Sequence, residues 1–502
     1  MHHHIRKPIF SLEGFAIASL IGISTSMTFS LFWVRETTAE PSITNSPSPS
    51  KNSDSHSQGY LEPIKLDQKA DPLQLPTKPE EVKLQVVQPI TLEQAIQIAQ
   101  EHNRELQIAE RTLQRNQAAL RQVQATQLPA LNLETEFANE RDAKDTLDEL
   151  KKGEVEQTGN LLTGKLELSY DLFNGGRRSA KISAAEALVR SDQLEVTRLK
   201  EQVRLEISNA YYDLQEASEQ VRITQAATQN AQKSLVDAEA LEKGGRVSKY
   251  DVLKSRVQLA NAEQELVQAQ STLEIARRQL LPLLGLVQSI DFTASDPVQP
   301  QGQWQQSLEE SIILAFKNRP ELEQQLSQRQ ISEQQRTIAL SETQPQIGLF
   351  ANYQVRDNLS DRFNTVDGYA VGIRLRWNLF DGGAALAGAQ QEEANKAIAE
   401  TRFVDTRNQI RFQVERAYKT LQANTKNIKT SEFALKQAKE GLEIARLQFK
   451  AEVATQLDVI VAENELTRAE VNRIKSILNY NRALAALKRA VSNRNSSKEV
   501  SK

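Results

Sequence analysis

The sequence predicts a mixed α and β membrane protein built from an internally duplicated helix–strand–strand–helix unit. Two observations carry that expectation. The chain nearly repeats itself at a single offset of 207 residues (171 to 378, 210 to 417, 251 to 458). Asp171-Leu172-Phe173-Asn174-Gly175-Gly176 returns as Asn378-Leu379-Phe380-Asp381-Gly382-Gly383. Ala210-Tyr211 with Leu214-Gln215 returns as Ala417-Tyr418 with Leu421-Gln422, and Val247-Ser248 with Asp251-Val252 as Ala454-Thr455 with Asp458-Val459. The second observation is that each copy interrupts helical periodicity with two runs of apolar/polar alternation. Such a pseudo-symmetric block usually closes around an axis.

Composition narrows the classes. Aromatics make up 5% of the 502 residues, while Gln, Ala, Leu, Glu and Arg dominate the long stretches, a profile of extended helices packed through small side chains. A net charge of -3 is too small to imply nucleic acid, and both signs interspersed along helices read as solvated faces rather than a phosphate-binding stripe, so no nucleic-acid partner is expected. There is no cysteine, so disulfides, thiolate metal sites, a cysteine nucleophile and a lipidated N-terminal cysteine are all excluded. Of the five histidines only His102 falls in a folded stretch. With no phosphate loop either, no enzyme and no cofactor are expected.

Residues 1–39 read as an export signal: Arg6 and Lys7 precede an apolar run from about Phe15 to Val34, and Thr37-Thr38-Ala39 suits cleavage. A retained anchor is the alternative, because the run is long for a signal. Residues 40–89 hold eight of the fifteen prolines and read as a flexible tether.

The first repeat is expected over 90–286. Thr91-Leu92-Glu93-Gln94 resembles a helix cap, opening a helix to about Gln127 that Pro129 stops. The matching helix of the second repeat (306–492) runs from near Ser307 to before Pro345. Strands follow at about 128–138 and 164–173, and at about 345–355 and 369–379, with Pro129 and Pro345 at their starts. Leu131, Leu133 and Phe137 alternate with Asn132, Glu134 and Glu136; Tyr369, Val371, Ile373 and Leu375 alternate with Arg374 and Arg376. Each run is close to the length of a tilted strand crossing a bilayer. A soluble hairpin with one wet face fits the alternation equally well. Membrane strands are favoured because tyrosine and tryptophan sit near the ends of the apolar faces and no other apolar element remains to cover them. On the polar faces Glu134, Glu136, Glu167 and Asp171 nearly balance Lys165, Arg374 and Arg376, which suggests a broad polar conduit.

After each Gly-Gly pair (Gly175-Gly176 and Gly382-Gly383) comes a stretch without proline, 177–243 and 384–450. As helices these would reach about 100 Å each. Small and apolar residues recur at alternating steps of four and three (Val203, Ile207, Ala210, Leu214, Ala217, and Ile410, Val414, Ala417, Leu421), a coiled-coil seam. Turns at 244–247 and 451–454 lead into return helices. Residues 287–305, with Pro297, Pro300 and Gly302, read as a connector, and 493–502 as a polar tail.

Four membrane strands cannot close a barrel, since closure needs about eight, and open sheet edges are not tolerated in lipid. Copies must join edge to edge. Three copies leave a lumen for the polar faces where two would plug it, so a homotrimer with a twelve-stranded barrel in outer-membrane lipid is expected, continued by a helical tube.

The duplication, the Leu-Pro and Gln-Pro strand starts at 128–129 and 344–345, the Leu-Phe-Asn/Asp-Gly-Gly motif and the Asp-Val helix tips together resemble the TolC family of outer-membrane efflux proteins, over roughly 90–492. The resemblance implies a trimer whose α-helical barrel crosses the periplasm, working as the exit duct of tripartite pumps or type I secretion with a periplasmic adaptor and an inner-membrane transporter. It also implies a periplasmic gate at the tips, 244–254 and 451–461, with Asp251 and Asp458 as carboxylate rings and Arg246 and Tyr250 as tethers. The residues themselves offer a plainer reading: Ser248-x-x-Asp251 and Thr455-x-x-Asp458 match helix-capping patterns. A second aspartate one turn on is absent, the positions being Lys254 and Val461. A periplasm-spanning coiled-coil scaffold is the alternative function; it accounts for the helices but not for the strands.

Overall fold

The computed structural model describes residues 77–78, 86–140, 159–286, 290–359 and 365–492. The expected leader, most of the 40–89 extension and the 493–502 tail lie outside the described residues. Among those described, no helix is long and apolar enough to cross a membrane.

Four strands form one antiparallel sheet in the order β2 (Ala130–Glu140), β3 (Gly159–Phe173), β5 (Gln346–Asn358), β6 (Val366–Arg376). The alternation lines up in register. Leu133 stands opposite Leu166, Leu166 opposite Tyr353, and Tyr353 opposite Tyr369, so the apolar residues make one continuous face. The other face carries Glu134 opposite Lys165 and Lys165 opposite Gln354. The apolar face is uncovered: Leu133 is 73% exposed and Tyr369 82%. β2 and β6 each leave one edge unpaired within the sheet.

Two helices of 67 residues descend from the sheet, α3 (Arg177–Lys243) and α7 (Ala384–Lys450), about 100 Å each. Each turns into a 36-residue return helix, α4 (Lys249–Leu284) and α8 (Gln456–Val491). The seam predicted for α3 is buried at Val203, Ile207, Leu214, Ala217, Ala231, Leu235 and Ala238. On α7 the corresponding stripe is covered less completely, and Phe412 and Phe433 stay exposed, because α3 packs against α2, α4, α6 and α8 whereas α7 packs mainly against α6 and α8 (α2 is Arg104–Gln124 and α6 is Pro320–Ser341).

Three expectations are corrected. The helix expected from Thr91 to Gln127 is two, α1 (Leu92–His102) and α2, divided at Asn103. Asn103 caps α2 by accepting from the Leu106 amide at 3.1 Å, and its Nδ2 donates to the Leu283 carbonyl at 3.2 Å. The break thus receives the end of α4, where Gly285 passes so close that an added Cβ would lie 2.0 Å from the His102 carbonyl oxygen. Likewise α5 (Leu308–Asn318) and α6 are divided at Arg319, which reaches the Ala490 carbonyl at the end of α8. The third correction concerns the extension and the connector. Val86–Ile90 is a strand, β1, paired in parallel with β4 (Ile290–Ala294). The connector is therefore no loose link. Asn481 clasps its backbone at Gln299 and Gln301, Tyr480 donates to the Gly302 carbonyl at 2.7 Å, and Gln215 donates to the Asp296 carbonyl at 2.8 Å. Strand pair, connector and α5 form a belt across one face of the helices.

Candidate functional site: the paired helix tips

At the first tip Gly245 takes φ +73 and the chain turns into α4. Ser248 is the N-cap: its Oγ accepts from the Asp251 amide at 3.3 Å, while Asp251 Oδ2 accepts from the Ser248 amide at 3.3 Å and from its hydroxyl at 2.7 Å. The second tip turns through Glu452, a non-glycine residue at φ 61. There Thr455 caps α8 in the same reciprocal way, with Asp458 Oδ2 accepting from the Thr455 amide and hydroxyl, each at 2.7 Å. Capping, the plainer of the two readings, is what these aspartates visibly do. Each cap uses Oδ2.

The second oxygens differ. Asp251 Oδ1 lies 3.8 Å from Lys254 Nζ, whose ammonium also sits 4.4 Å from the Tyr250 ring centre. Val461 stands where Lys254 would, so among the described residues Asp458 has no such cation beside it, and its carboxyl is held below the ordinary range by the Thr455 hydroxyl and then the Thr455 amide. Arg246 pairs across to Glu452 at 3.2 Å, joining the two tips within one chain. Both side chains are more than half or about half exposed, so the pair contributes about 0–1 kcal/mol.

Apolar packing does more. Leu241 and Val247 of the first tip share a cluster with Leu442, Phe449 and Val459 of the second. Just above, Glu463 is buried in the seam between α3 and α8, accepting from Ser234 at 2.6 Å and pairing with Arg446 at 2.9 Å, which also donates to Asn230. The sequence reading missed this group. Its signal was a carboxylate on the inward stripe of α8, between buried Val459 and Ile474.

The other singled-out residues sit where chain direction changes. Pro129 and Pro345 immediately precede β2 and β5. Gly175, Gly176, Gly382 and Gly383 all take positive φ ahead of α3 and α7. Their surroundings are unequal: a Cβ on Gly175 would lie 2.6 Å from Gln344, whereas Gly382 and Gly383 have open space.

Among the described residues no cluster of side chains could hold a metal ion. This end is built from two capped turns, one ion pair between them and an apolar cluster that clasps both.

The chain matches the family described as Outer membrane efflux protein over residues 95–286 and 312–493. It is 24% identical over 391 residues to the cobalt-zinc-cadmium resistance protein CzcC of Cupriavidus metallidurans, covering 76% of this chain and 85% of that one. Its fold is similar to that of the outer membrane protein VceC from Vibrio cholerae (TM-score 0.68, 21% identity, 80% of this chain and 95% of that one). The CmeC outer membrane channel of Campylobacter jejuni is similar too (TM-score 0.71, 16% identity, 82% and 88%). The family match spans both halves of the described chain, strands and long helices included: this protein belongs to the outer membrane efflux protein family.

Proposed function

We propose that three copies of this chain close edge to edge into a twelve-stranded barrel in outer-membrane lipid, continued by a helical tube through the periplasm, and that the assembly is a passive export duct. The observation that carries this reading is the four-stranded sheet, whose apolar face is uncovered and whose β2 and β6 edges are unpaired. In lipid both must be satisfied, the face by acyl chains and the edges by another copy. Other features agree. Apolar side chains are exposed on helices at both sides of the wall, Phe412 and Phe433 on α7, Val257 and Val267 on α4. The open space around Gly382, against the filled space around Gly175, fits a turn that a neighbouring copy packs.

The tips are the end that meets a periplasmic adaptor and, through it, an inner-membrane transporter. In a trimer Asp251 and Asp458 form two rings of three carboxylates, which repel each other in a narrow pore and attract cations. Capping orients each carboxylate and leaves Oδ1 of Asp458 for the lumen, whereas Oδ1 of Asp251 also faces the Lys254 ammonium. Relatives bear names with unlike cargo, cobalt-zinc-cadmium resistance in one case and pyoverdine export in another. That spread supports a duct whose cargo is chosen by the transporter.

The test is the single-channel conductance of purified trimer in planar bilayers, with heat-modifiable trimers in outer-membrane fractions as the assembly control. Wild type is expected to conduct weakly, and Asp251→Ala with Asp458→Ala more strongly. Equal conductance removes the gate; absence of any trimer removes the duct.

A further inference from the structure

On the side of α3 opposite its contacts with the belt lies a crevice of about 1120 Å³, bounded by α3, α6, α7 and α8. The direction follows from helical geometry. Tyr211 and Gln215 of α3 reach the belt, whereas Asn209 and Asp213, each two residues from Tyr211 and so roughly 200° around the helix, line the crevice. If the belt is outside the tube, the crevice faces the lumen, midway along the duct.

Its lining contains five arginines: Arg198, Arg319, Arg416, Arg482 and Arg489. Four have carboxylate partners. Arg198 pairs with Glu195 at 2.7 Å, Arg482 with Asp213 at 2.6 Å and Glu216 at 2.8 Å, and Arg319 and Arg489 share Glu321 at 2.8 and 2.9 Å. Arg416 is the exception. Among the described residues its guanidinium has no carboxylate, only the Phe412 ring at 5.9 Å. Five guanidiniums against four carboxylates leave an excess positive charge in a concave, amide-rich wall that also includes Gln413 and Asn209.

We propose that this crevice is a transient station for small oxyanions carrying two or more negative charges, phosphates or carboxylates, passing along the duct. Arg416 presents a planar fork suited to bidentate oxyanion binding, and because the four neighbouring arginines are balanced by their own carboxylates, the uncompensated charge of the crevice is that of Arg416. A station in a duct must release what it holds, so weak, salt-sensitive binding is the useful kind. The inference rests on the export-duct reading, and the lumenal position comes from it.

The test adds pyrophosphate to reconstituted wild-type trimer in planar bilayers. Expected is a concentration-dependent block of single-channel current beyond that of chloride at matched ionic strength. In Arg416→Gln the half-blocking concentration should rise at least about tenfold, the usual loss when one charge-assisted contact is removed. Because Arg416 is exposed and holds no bridge, its loss should leave the heat-modifiable trimer intact. Citrate in place of pyrophosphate separates carboxylate from phosphate preference, and block by either supports the class. No block by either in wild type, or equal block in Arg416→Gln, overturns the proposal. If the protein forms trimers but no channel, the duct reading fails by itself. Calorimetric binding of pyrophosphate to detergent-solubilised protein then decides the crevice, with unchanged affinity in Arg416→Gln counting against it.

Discussion

The Tyr211 hydroxyl donates to the Asp296 carboxylate at 2.7 Å and accepts from the Asp296 amide at 3.2 Å. The same carboxylate accepts from the Leu92 amide in the first turn of α1 at 2.7 Å. One tyrosine therefore ties the longest helix of the first half to the belt and to the start of α1. Burial pushes its phenol well above the ordinary range, so it stays a donor at any working pH.

Tyr211→Phe is expected to destabilise the protein by about 1–3 kcal/mol, because the ring is preserved while the half-buried Asp296 carboxylate keeps the Leu92 amide but loses its hydroxyl donor. Tyr418 holds the corresponding place on α7 but packs by its ring against the second-half core. Tyr418→Phe should therefore change little. Thermal unfolding followed by circular dichroism compares the two, and equal shifts would mean that the hydroxyl is not what fixes the belt.

The end of α4 is the next sensitive place. Gly285 combines φ +71 with a neighbouring backbone, and an added Cβ would meet the His102 carbonyl carbon at 2.5 Å. Gly285→Ala should prevent normal assembly, since neither backbone can yield without parting α1 from α2. Gly245 also has positive φ but open space, so Gly245→Ala should cost only about 1–2 kcal/mol of local strain. The yield of heat-modifiable trimer after expression separates these outcomes.

How far these features were legible depends on the range of the interaction behind them. The 67-residue helices and the four strands follow from period and alternation within each segment, and the turns before α3 and α7 from their glycine pairs. The Asp251 and Asp458 caps were legible as well, because a capping box is complete within four residues. The break at Asn103 was not, because what fixes it is the arrival of Leu283, 180 residues away. At Arg319 a local clue existed, Pro320 at the first helical position, but periodicity continued across it. β1 and β4 were hidden for a similar reason: each has five residues, and the partners lie 204 apart (86 to 290).

The Arg446–Glu463 pair makes a prediction about the tips that differs from the carboxylate rings. Glu463 is 6% exposed, so removing its cation leaves a carboxylate in an apolar seam. Arg446→Ala should cost on the order of 3 kcal/mol, and Arg446→Met with Glu463→Leu should restore most of it, since an apolar pair of similar volume avoids the desolvation. If the single substitution loosens the α3–α8 seam, trypsin should cut near Lys450 faster in Arg446→Ala than in the double variant. Identical cleavage rates would mean that Leu241, Val247 and Val459 hold the tips together unaided.

Acid should act on the second tip. The Asp458 carboxyl is held below its ordinary value of 3.8 by the Thr455 hydroxyl first and the Thr455 amide second. A depressed folded-state value means that the charged cap contributes fully above about pH 4, where the unfolded chain is also ionised, and is lost as pH falls through the lower folded value. Hydrogen exchange in a peptide covering 451–461, corrected for the intrinsic rate, should therefore rise below pH 4 in wild type. Thr455→Val removes the leading cause of the shift, so its rise should begin at higher pH. Asp458→Asn has no charge to lose and should show none. A wild-type profile as flat as that of Asp458→Asn would show that capping here needs the side-chain geometry and not the charge, and the carboxylate would then be left to whatever it does in the lumen.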